Sequence, residues 1–251
     1  MEADGRPQKP PTSPWVYVGC GCGLAVLLAL AALTGLTWWG YQKGQEFQKT
    51  FKDPQARAAK TREVLPYREL PEGYYPVGSF SVPLLMEIAI LSDEEPRPGE
   101  TPAGGNASFG ERGFVFINML HLRGNKEKME RFLRGEAPPP DESPWQQSGM
   151  RFDPQEIIRR GTVDADGRQV LYAASRGEVS RRGHAHGEGI VTMLMPHCPD
   201  DRLRFGIWFG PDPAPKKPIA EVDYSGTAAD PAAITDFAGH FGLCGGKQRG
   251  R

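Results

Sequence analysis

Two histidines and one glutamate at alternating positions, His184, His186 and Glu188, are the clearest candidate chemistry in the sequence. On a regular β-strand, residues two apart share a face, so these side chains could offer nitrogen and oxygen ligands to zinc or copper. The neighbouring glycines, Gly183 and Gly187, instead favour a hairpin loop in which histidine is simply a polar residue. The sequence favours the loop, and the three residues are kept as a candidate metal site.

Two cysteines in the C-terminal part of the chain, Cys198 and Cys244, allow two kinds of thiol chemistry. His197 beside Cys198 could activate a thiolate nucleophile, yet no nearby residue in the sequence supplies the third group of such a site. In an exported domain the two cysteines would be expected to form a disulfide, which consumes the thiol. Two unrelated buried thiols remain the alternative, because the sequence does not place their Cα atoms within bonding distance.

No other motif in the sequence predicts catalysis. Residues 164–167 begin like a calcium loop, but an EF-hand needs a glutamate at its twelfth position, where this chain has Ser175. The step from Asp166 to Gly167 is better explained as a hairpin turn, since glycine takes positive φ without steric cost. Phosphate loops, dinucleotide fingerprints and Gly-x-Ser-x-Gly elbows do not occur. We therefore assign no catalytic residue and no cofactor.

A run without a charged residue, 10–42, contains the apolar segment 18–39 near the N-terminus. As a helix, that segment would be about 33 Å long, enough to cross the ~30 Å hydrocarbon layer of a bilayer. A signal peptide would have a shorter apolar part, and the bulky pair Trp38 and Trp39 lies where its small-residue cleavage site should be. The sequence therefore predicts a single-pass membrane anchor with the lipid bilayer as its partner.

Positive charges flank the anchor on both sides, at Arg6 and Lys9 before it and at Lys43, Lys49, Lys52 and Arg57 after it. The count leans toward a cytoplasmic C-terminal domain, but long domains translocate largely regardless of charge. The short N-terminal tail and the two later cysteines favour an extracytoplasmic domain. Within the anchor, Gly19 and Gly23 have the small-xxx-small spacing of paired membrane helices, which makes self-association a hypothesis.

The composition places limits on the remainder of the chain. The 251 residues include 30 basic and 31 acidic side chains, a formal charge of −1, so the footprint expected of a nucleic-acid-binding protein is missing. Abundant glycine and proline, 31 and 24 residues, indicate many loops between short elements. We divide the chain into a polar tail, a transmembrane helix, a juxtamembrane linker, a soluble domain and a flexible tail: residues 1–15, 16–41, 42–64, 65–246 and 247–251.

The soluble domain is predicted to contain strands and two amphipathic helices. Alternation and β-branched or aromatic content predict strands at residues 84–91, 113–122, 157–163, 169–174, 189–195 and 203–209. One helix begins near Asn125 and ends at Gly135, and another begins at Asp230 with Pro231 in its first position. This order of elements predicts an α+β domain with a mostly antiparallel sheet and amphipathic helices packed on it.

The order of elements resembles the PsbP-like family. The resemblance rests on the strand 113–122 followed by the helix at Asn125, the hairpin around Gly167, the strand pair that ends at Gly210 and the last helix at 234–237. It covers most of residues 73–244 and includes no diagnostic motif. The resemblance implies an accessory or binding domain, and no functional residue carries over from it.

Two classes of function remain. The first is a non-enzymatic envelope protein that binds a partner, such as another envelope protein, through the exposed segments 93–112 and 134–147. The second is a membrane-tethered enzyme that depends on a metal or a thiol and uses His184, His186, Glu188 or Cys198. Because no catalytic constellation is recognisable in the sequence, we favour the first class.

Overall fold

The structure is a computed structural model, and it describes residues 53–82, 85–96, 110–119, 123–138, 150–181 and 184–245. All of them belong to the second of the two units into which the chain divides, Lys49–Arg251. The predicted anchor, 16–41, lies outside the described residues, as do the tails 1–15 and 247–251. Within the described residues, none of the helices is long and apolar enough to span a bilayer.

Seven strands among the described residues form one sheet in which every neighbouring pair is antiparallel. They are β1 (Tyr75–Val82), β2 (Met86–Ser92), β3 (Gly113–Met119), β4 (Met150–Ala165), β5 (Arg168–Arg181), β6 (His184–Pro196) and β7 (Leu203–Pro211). Their order across the sheet is β1-β2-β3-β7-β6-β5-β4. The predicted α+β domain with a mostly antiparallel sheet is confirmed.

Each predicted strand overlaps an observed one, but the bounds differ: β2 begins at Met86 instead of residue 84, and residues 120–122, predicted as the end of β3, lie outside the described residues. All seven residues of β3 are buried, as expected for a strand covered on both faces, and β3 lies next to the central strand β7. The predicted pairing of 189–195 with 203–209 is confirmed as β6 and β7. The hairpin of β4 and β5 has the predicted turn, with φ of 53° at Asp166 and 71° at Gly167. Its strands are much longer than predicted, because they continue past the main sheet.

Three α-helices are described: α1 (Pro54–Val64), α2 (Arg123–Arg134) and α3 (Pro231–Gly239). The predicted end of α2 is confirmed, since Gly135 follows it with φ of 80°, but the predicted start at Asn125 is wrong, because α2 begins at Arg123. The predicted cap of α3 is confirmed, since Asp230 accepts a hydrogen bond from the Ala232 amide at 3.0 Å. A carboxylate in this position satisfies an amide that the helix itself leaves without a partner.

Helix α1 lies in the segment that the sequence analysis treats as a juxtamembrane linker. It contacts β1 and β2, and its buried face consists of Arg57 and Thr61 instead of large apolar residues. Asp53 caps its first turn by accepting from the Gln55 amide at 2.9 Å. An amphipathic stripe, the usual signal for a packed helix, is therefore lacking in this part of the sequence.

Helices lie on both faces of the sheet. On face A, which α1 and α3 cover, the ring of Phe237 stacks on Trp208 with 4.2 Å between centroids and meets Phe114 edge-on at 5.1 Å. The indole N–H of Trp208 donates to the hydroxyl of Tyr74 at 2.7 Å, so its polar atom is satisfied inside the core. Face B is covered in part by α2, through Met129, Phe132 and Leu133.

The long connection from β2 to β3 is closed at its base. Both oxygens of the Asp93 carboxylate are used, because they accept hydrogen bonds from the amides of Gly110, Glu111 and Arg112, each at 2.9 Å. We call this end of the sheet, where β2 finishes and β3 begins, the upper end. The opposite end, where β6 finishes and β7 begins, is the lower end.

Candidate functional site

The structure joins Cys198 and Cys244 in a disulfide, with 5.5 Å between their Cα atoms. Cys198 lies in the turn between β6 and β7, and Cys244 lies a few residues after α3, so the bond ties the C-terminal segment to the lower end of the sheet. The predicted disulfide is confirmed. As a consequence, the sulfur of Cys198 is not available as a thiolate nucleophile.

The same turn is held by an ion pair. The guanidinium of Arg204 on β7 donates to both oxygens of Asp200, at 2.6 and 2.8 Å. This hydrogen bond is the main cause that lowers the pKa of Asp200 below its ordinary value, and the positive charge of Arg204 adds to it. Since Arg204 is buried and Asp200 is half exposed, the pair lies at the boundary between the core and solvent at the lower end of the sheet.

At the upper end, three strands continue past the end of β7. The last residue of β7, Pro211, pairs with Gly189, and beyond that point β4, β5 and β6 pair only with one another in the described residues. We call these segments the sheet extension: residues 150–153, 178–181 and 184–188. In the described residues, the body of the sheet does not continue beside the extension.

The sequence-predicted metal residues His184, His186 and Glu188 all lie in the sheet extension, on the first part of β6. The register there is irregular: Glu188 pairs with Glu178, but the next pair is Ala185 with Ser180, so His186 and Gly187 stand opposite one residue. A bulge of this kind interrupts the alternation of faces on which the prediction depends. The three-ligand site stays a prediction. Within the described residues, no group of three or more His, Cys, Asp or Glu side chains is placed to hold a metal ion.

Three acidic residues are consecutive register partners where the extension begins. Asp153 on β4 pairs with Glu178 on β5, which in turn pairs with Glu188 on β6. Directly opposed residues of antiparallel strands share a face, with Cβ atoms roughly 5 Å apart, and like charges in that arrangement are destabilising. We call these three register partners the carboxylate row, and the sequence analysis did not identify it because the pairing is not local.

The root of the extension is a buried cluster around Arg176, which we call the root cluster. Its Nε donates to Asp212 at 2.5 Å and its Nη1 donates to the carbonyl of Lys217 at 2.7 Å. Its Nη2 donates to the carbonyl of Ala214 at 3.2 Å and to the hydroxyl of Tyr224 at 2.9 Å. One guanidinium thus binds β5 to the segment that follows β7.

Electrostatics keep the guanidinium of Arg176 charged. Burial alone lowers the pKa of a guanidinium, but the hydrogen bond and charge of Asp212 outweigh burial and raise the pKa of Arg176 above its ordinary value. Burial and then the charge of Asp212 also raise the pKa of the Tyr224 hydroxyl, which stays protonated. The charged pair and its further hydrogen bonds hold β5 to the segment that follows β7.

One feature of the sequence indicates the root cluster. Tyr172 and Ala174 are buried on face A, and Arg176 is the next residue of that face, so a charged residue occupies an inward position. An inward arginine requires a buried acceptor. No sequence pattern shows that Asp212 supplies it.

Comparisons with known proteins add no relative. No protein-family model matches the chain, and no curated protein matches it significantly. The resemblance to the PsbP-like family therefore rests on the order of elements alone.

Proposed function

We propose that the chain is a membrane-anchored, extracytoplasmic binding or accessory protein, and that its sheet extension contacts a partner protein of the envelope. The observation that carries the binding role is the extension itself. It projects three paired strands past the sheet and is rooted on the buried contacts of Arg176. A rigidly rooted projection can bind a partner without a large ordering cost.

The anchor part of the proposal is supported by the uncharged apolar segment 18–39. Hydrophobic attachment resists salt and alkaline carbonate, because neither treatment removes apolar surface from lipid. The full chain should therefore remain with membranes under both treatments. Recovery of the full chain in the soluble fraction without detergent would contradict the anchor.

The proposed extracytoplasmic location is supported by the disulfide between Cys198 and Cys244, since structural disulfides persist mainly in oxidising compartments. A reporter fused after Arg251 tests the orientation of the full chain. Activity of a reporter that functions only outside the cytoplasm is expected. Activity of a cytoplasmic reporter would show that the positive charges after the anchor set the orientation.

The binding role can be tested by photo-cross-linking in cells. A photoreactive residue is introduced singly at Arg151, Val179 or Ala185 in the extension, and at the exposed positions Thr162 and Lys216 as controls. We expect adducts of the same mass at the extension positions and none at the two controls. Equal labelling of the controls, or no adduct in the extension, would show that the extension is not the binding surface.

A tethered metal enzyme remains the second candidate, because His184, His186 and Glu188 lie in the extension and Glu188 belongs to the carboxylate row. Elemental analysis of the purified full chain tests it directly. The substitution Glu188→Gln distinguishes a metal site from a site without metal, because it should change the melting temperature in opposite directions in the two cases. Without a metal it should raise the melting temperature, since it removes a like charge from the row, whereas loss of a bound cation should lower it.

A further inference from the structure

The second half of β1, residues 79–82, lacks the features that normally protect an edge strand: charge, proline and a bulge. β1 is the first strand of the sheet order and pairs only with β2 in the described residues. From Tyr74 to Met86 the sequence contains no charged residue. Proteins usually block a free edge with charge, proline or a bulge. β1 has Pro76 and an irregularity before Gly78, but neither lies in its second half, residues 79–82.

The other edge of the sheet is protected. β4 has two irregularities in its pairing with β5, and it exposes charged side chains at Glu156, Arg159 and Asp164. Charges and bulges of this kind oppose the addition of a further strand. The two edges of one sheet thus differ, and the difference points to β1 as the edge that accepts a strand.

Exposed apolar side chains are concentrated at the same edge. In the part of the chain that the structure describes, the large hydrophobic residues with high exposure are Tyr75 at 39%, Phe80 at 48% and Leu85 at 62%. Two of them belong to β1 and the third to the turn that follows it. Phe80 pairs with Ile88, which is half buried on face B, so the exposed ring continues an apolar surface of that face.

We propose that a second copy of this chain occupies the edge, through antiparallel pairing of β1 with β1 of the partner. Antiparallel pairing of a strand with its own copy is two-fold symmetric, so it closes as a dimer and leaves no further β1 edge. Since the strand is uncharged, no register of this pairing places like charges opposite each other. Pairing of β1 with β4 of another copy would not close and would meet the charged edge.

The size of the contact explains why membrane attachment matters. One edge strand of eight residues offers far less area than the roughly 1,600 Å² of a standard interface. Tethered copies, however, meet at an effective concentration that strengthens a weak contact. In this respect the inference rests on the proposed anchor, which the fractionation experiment tests separately.

Charge substitutions on β1 test the pairing in the full chain. Two differently tagged full-length chains are reconstituted in lipid vesicles, and energy transfer between fluorophores on the tags reports association. One double variant is Ser79→Lys with Ser81→Lys, and the other is Ser79→Glu with Ser81→Glu. The matched control on the β4 edge is Gln155→Lys with Thr162→Lys, because both positions are exposed.

We expect each β1 double variant to lose self-association by about tenfold or more, because like charges then face each other across the pair. A mixture of the lysine and glutamate variants should regain association, which a folding defect could not produce. The β4 control should behave as the wild type does. The pairing is excluded if the wild type sediments with vesicles but does not associate, if the lysine variant still associates, or if the mixture does not recover. Association of the lysine variant would show that the anchor causes self-association. A mixture that does not recover would show that β1 of one copy does not pair with β1 of another.

Discussion

The stability of this domain depends strongly on the buried contact between Arg176 and Asp212. The side chain of Asp212 is fully buried and that of Arg176 is 7% exposed, so each charge depends on the other for its solvation. A buried pair of this kind adds little stability compared with an apolar pair, but removal of one partner leaves an uncompensated charge in the core. The root cluster is therefore sensitive to single substitutions.

We predict that Asp212→Ala lowers the free energy of unfolding by about 3 to 5 kcal/mol, because the guanidinium of Arg176 then stays buried without its negative partner. Chemical denaturation of the full chain in detergent measures the change. The control is Asp223→Ala, which removes an exposed carboxylate that accepts hydrogen bonds from the neighbouring Ser225 and should have little effect. Equal stability of Asp212→Ala and the wild type would contradict the assigned role.

The lowered pKa of Asp200 predicts a dependence of stability on pH. A carboxyl group whose pKa is lower in the folded than in the unfolded chain stabilises the fold above its unfolded pKa, near 4, and this stability is lost as the pH falls through the folded value. Asp200→Asn should therefore lose stability at pH 7 and show a smaller further loss between pH 4 and pH 2. Thermal melts across this range measure both. An unchanged acid profile would show that Arg204 does not act through Asp200.

At the scale of elements, the hairpin of β4 and β5 depends on a turn in which glycine is required. Gly167 has φ of 71°, and a Cβ added there would meet nothing within 4 Å, so a side chain would cost only conformational energy. We predict that Gly167→Ala destabilises the domain by ~1 kcal/mol.

Gly239, the last residue of α3, provides the matched control for that substitution. It also has open space around an added Cβ, but its φ is not in the left-handed region. Gly239→Ala should therefore stabilise the domain slightly, because alanine restricts the unfolded chain more than glycine does. Denaturation midpoints of the two variants should move in opposite directions, and a shift in the same direction would contradict this explanation.

The elements that could be predicted from the sequence are those with local signals. The Asp166–Gly167 turn, the cap at Asp230 and the strand predicted at 203–209 depend on residues close in the chain, and all three are confirmed. Helix α1 was missed because its buried face is Arg57 and Thr61. Strand β1 was missed because Pro, Gly and Ser interrupt its alternation, and the order of the sheet depends on contacts that no local pattern contains.

The candidate site was less predictable than the fold for the same reason. His184, His186 and Glu188 could be found because they are close in sequence, but the carboxylate row and the root cluster join residues from separate strands. The disulfide could be expected from the number of cysteines, while its geometry required the sheet to bring Cys198 to the segment after α3.

For the whole molecule, the disulfide is the main covalent constraint in the described residues. Cys198 and Cys244 are 46 positions apart, and a crosslink that closes such a loop stabilises by ~4 kcal/mol on the chain-entropy model. We predict that reduction, Cys198→Ser and Cys244→Ser each lower the melting temperature by a similar amount. The double variant should cost little more than either single one. Two free thiols in protein taken from an oxidising compartment would contradict the bond.

The order of the strands has a consequence for synthesis of the chain. The first three strands form a meander, but β3 completes its pairing only with β7, whose Phe209 is the register partner of Gly113. At roughly 5 to 20 residues per second, the ribosome needs about 5 to 20 s to make the intervening chain. During that interval β3, buried on both faces in the finished domain, has an open apolar edge. The nascent chain therefore passes through an aggregation-prone stage, which a chaperone or the export machinery would have to cover until β7 arrives.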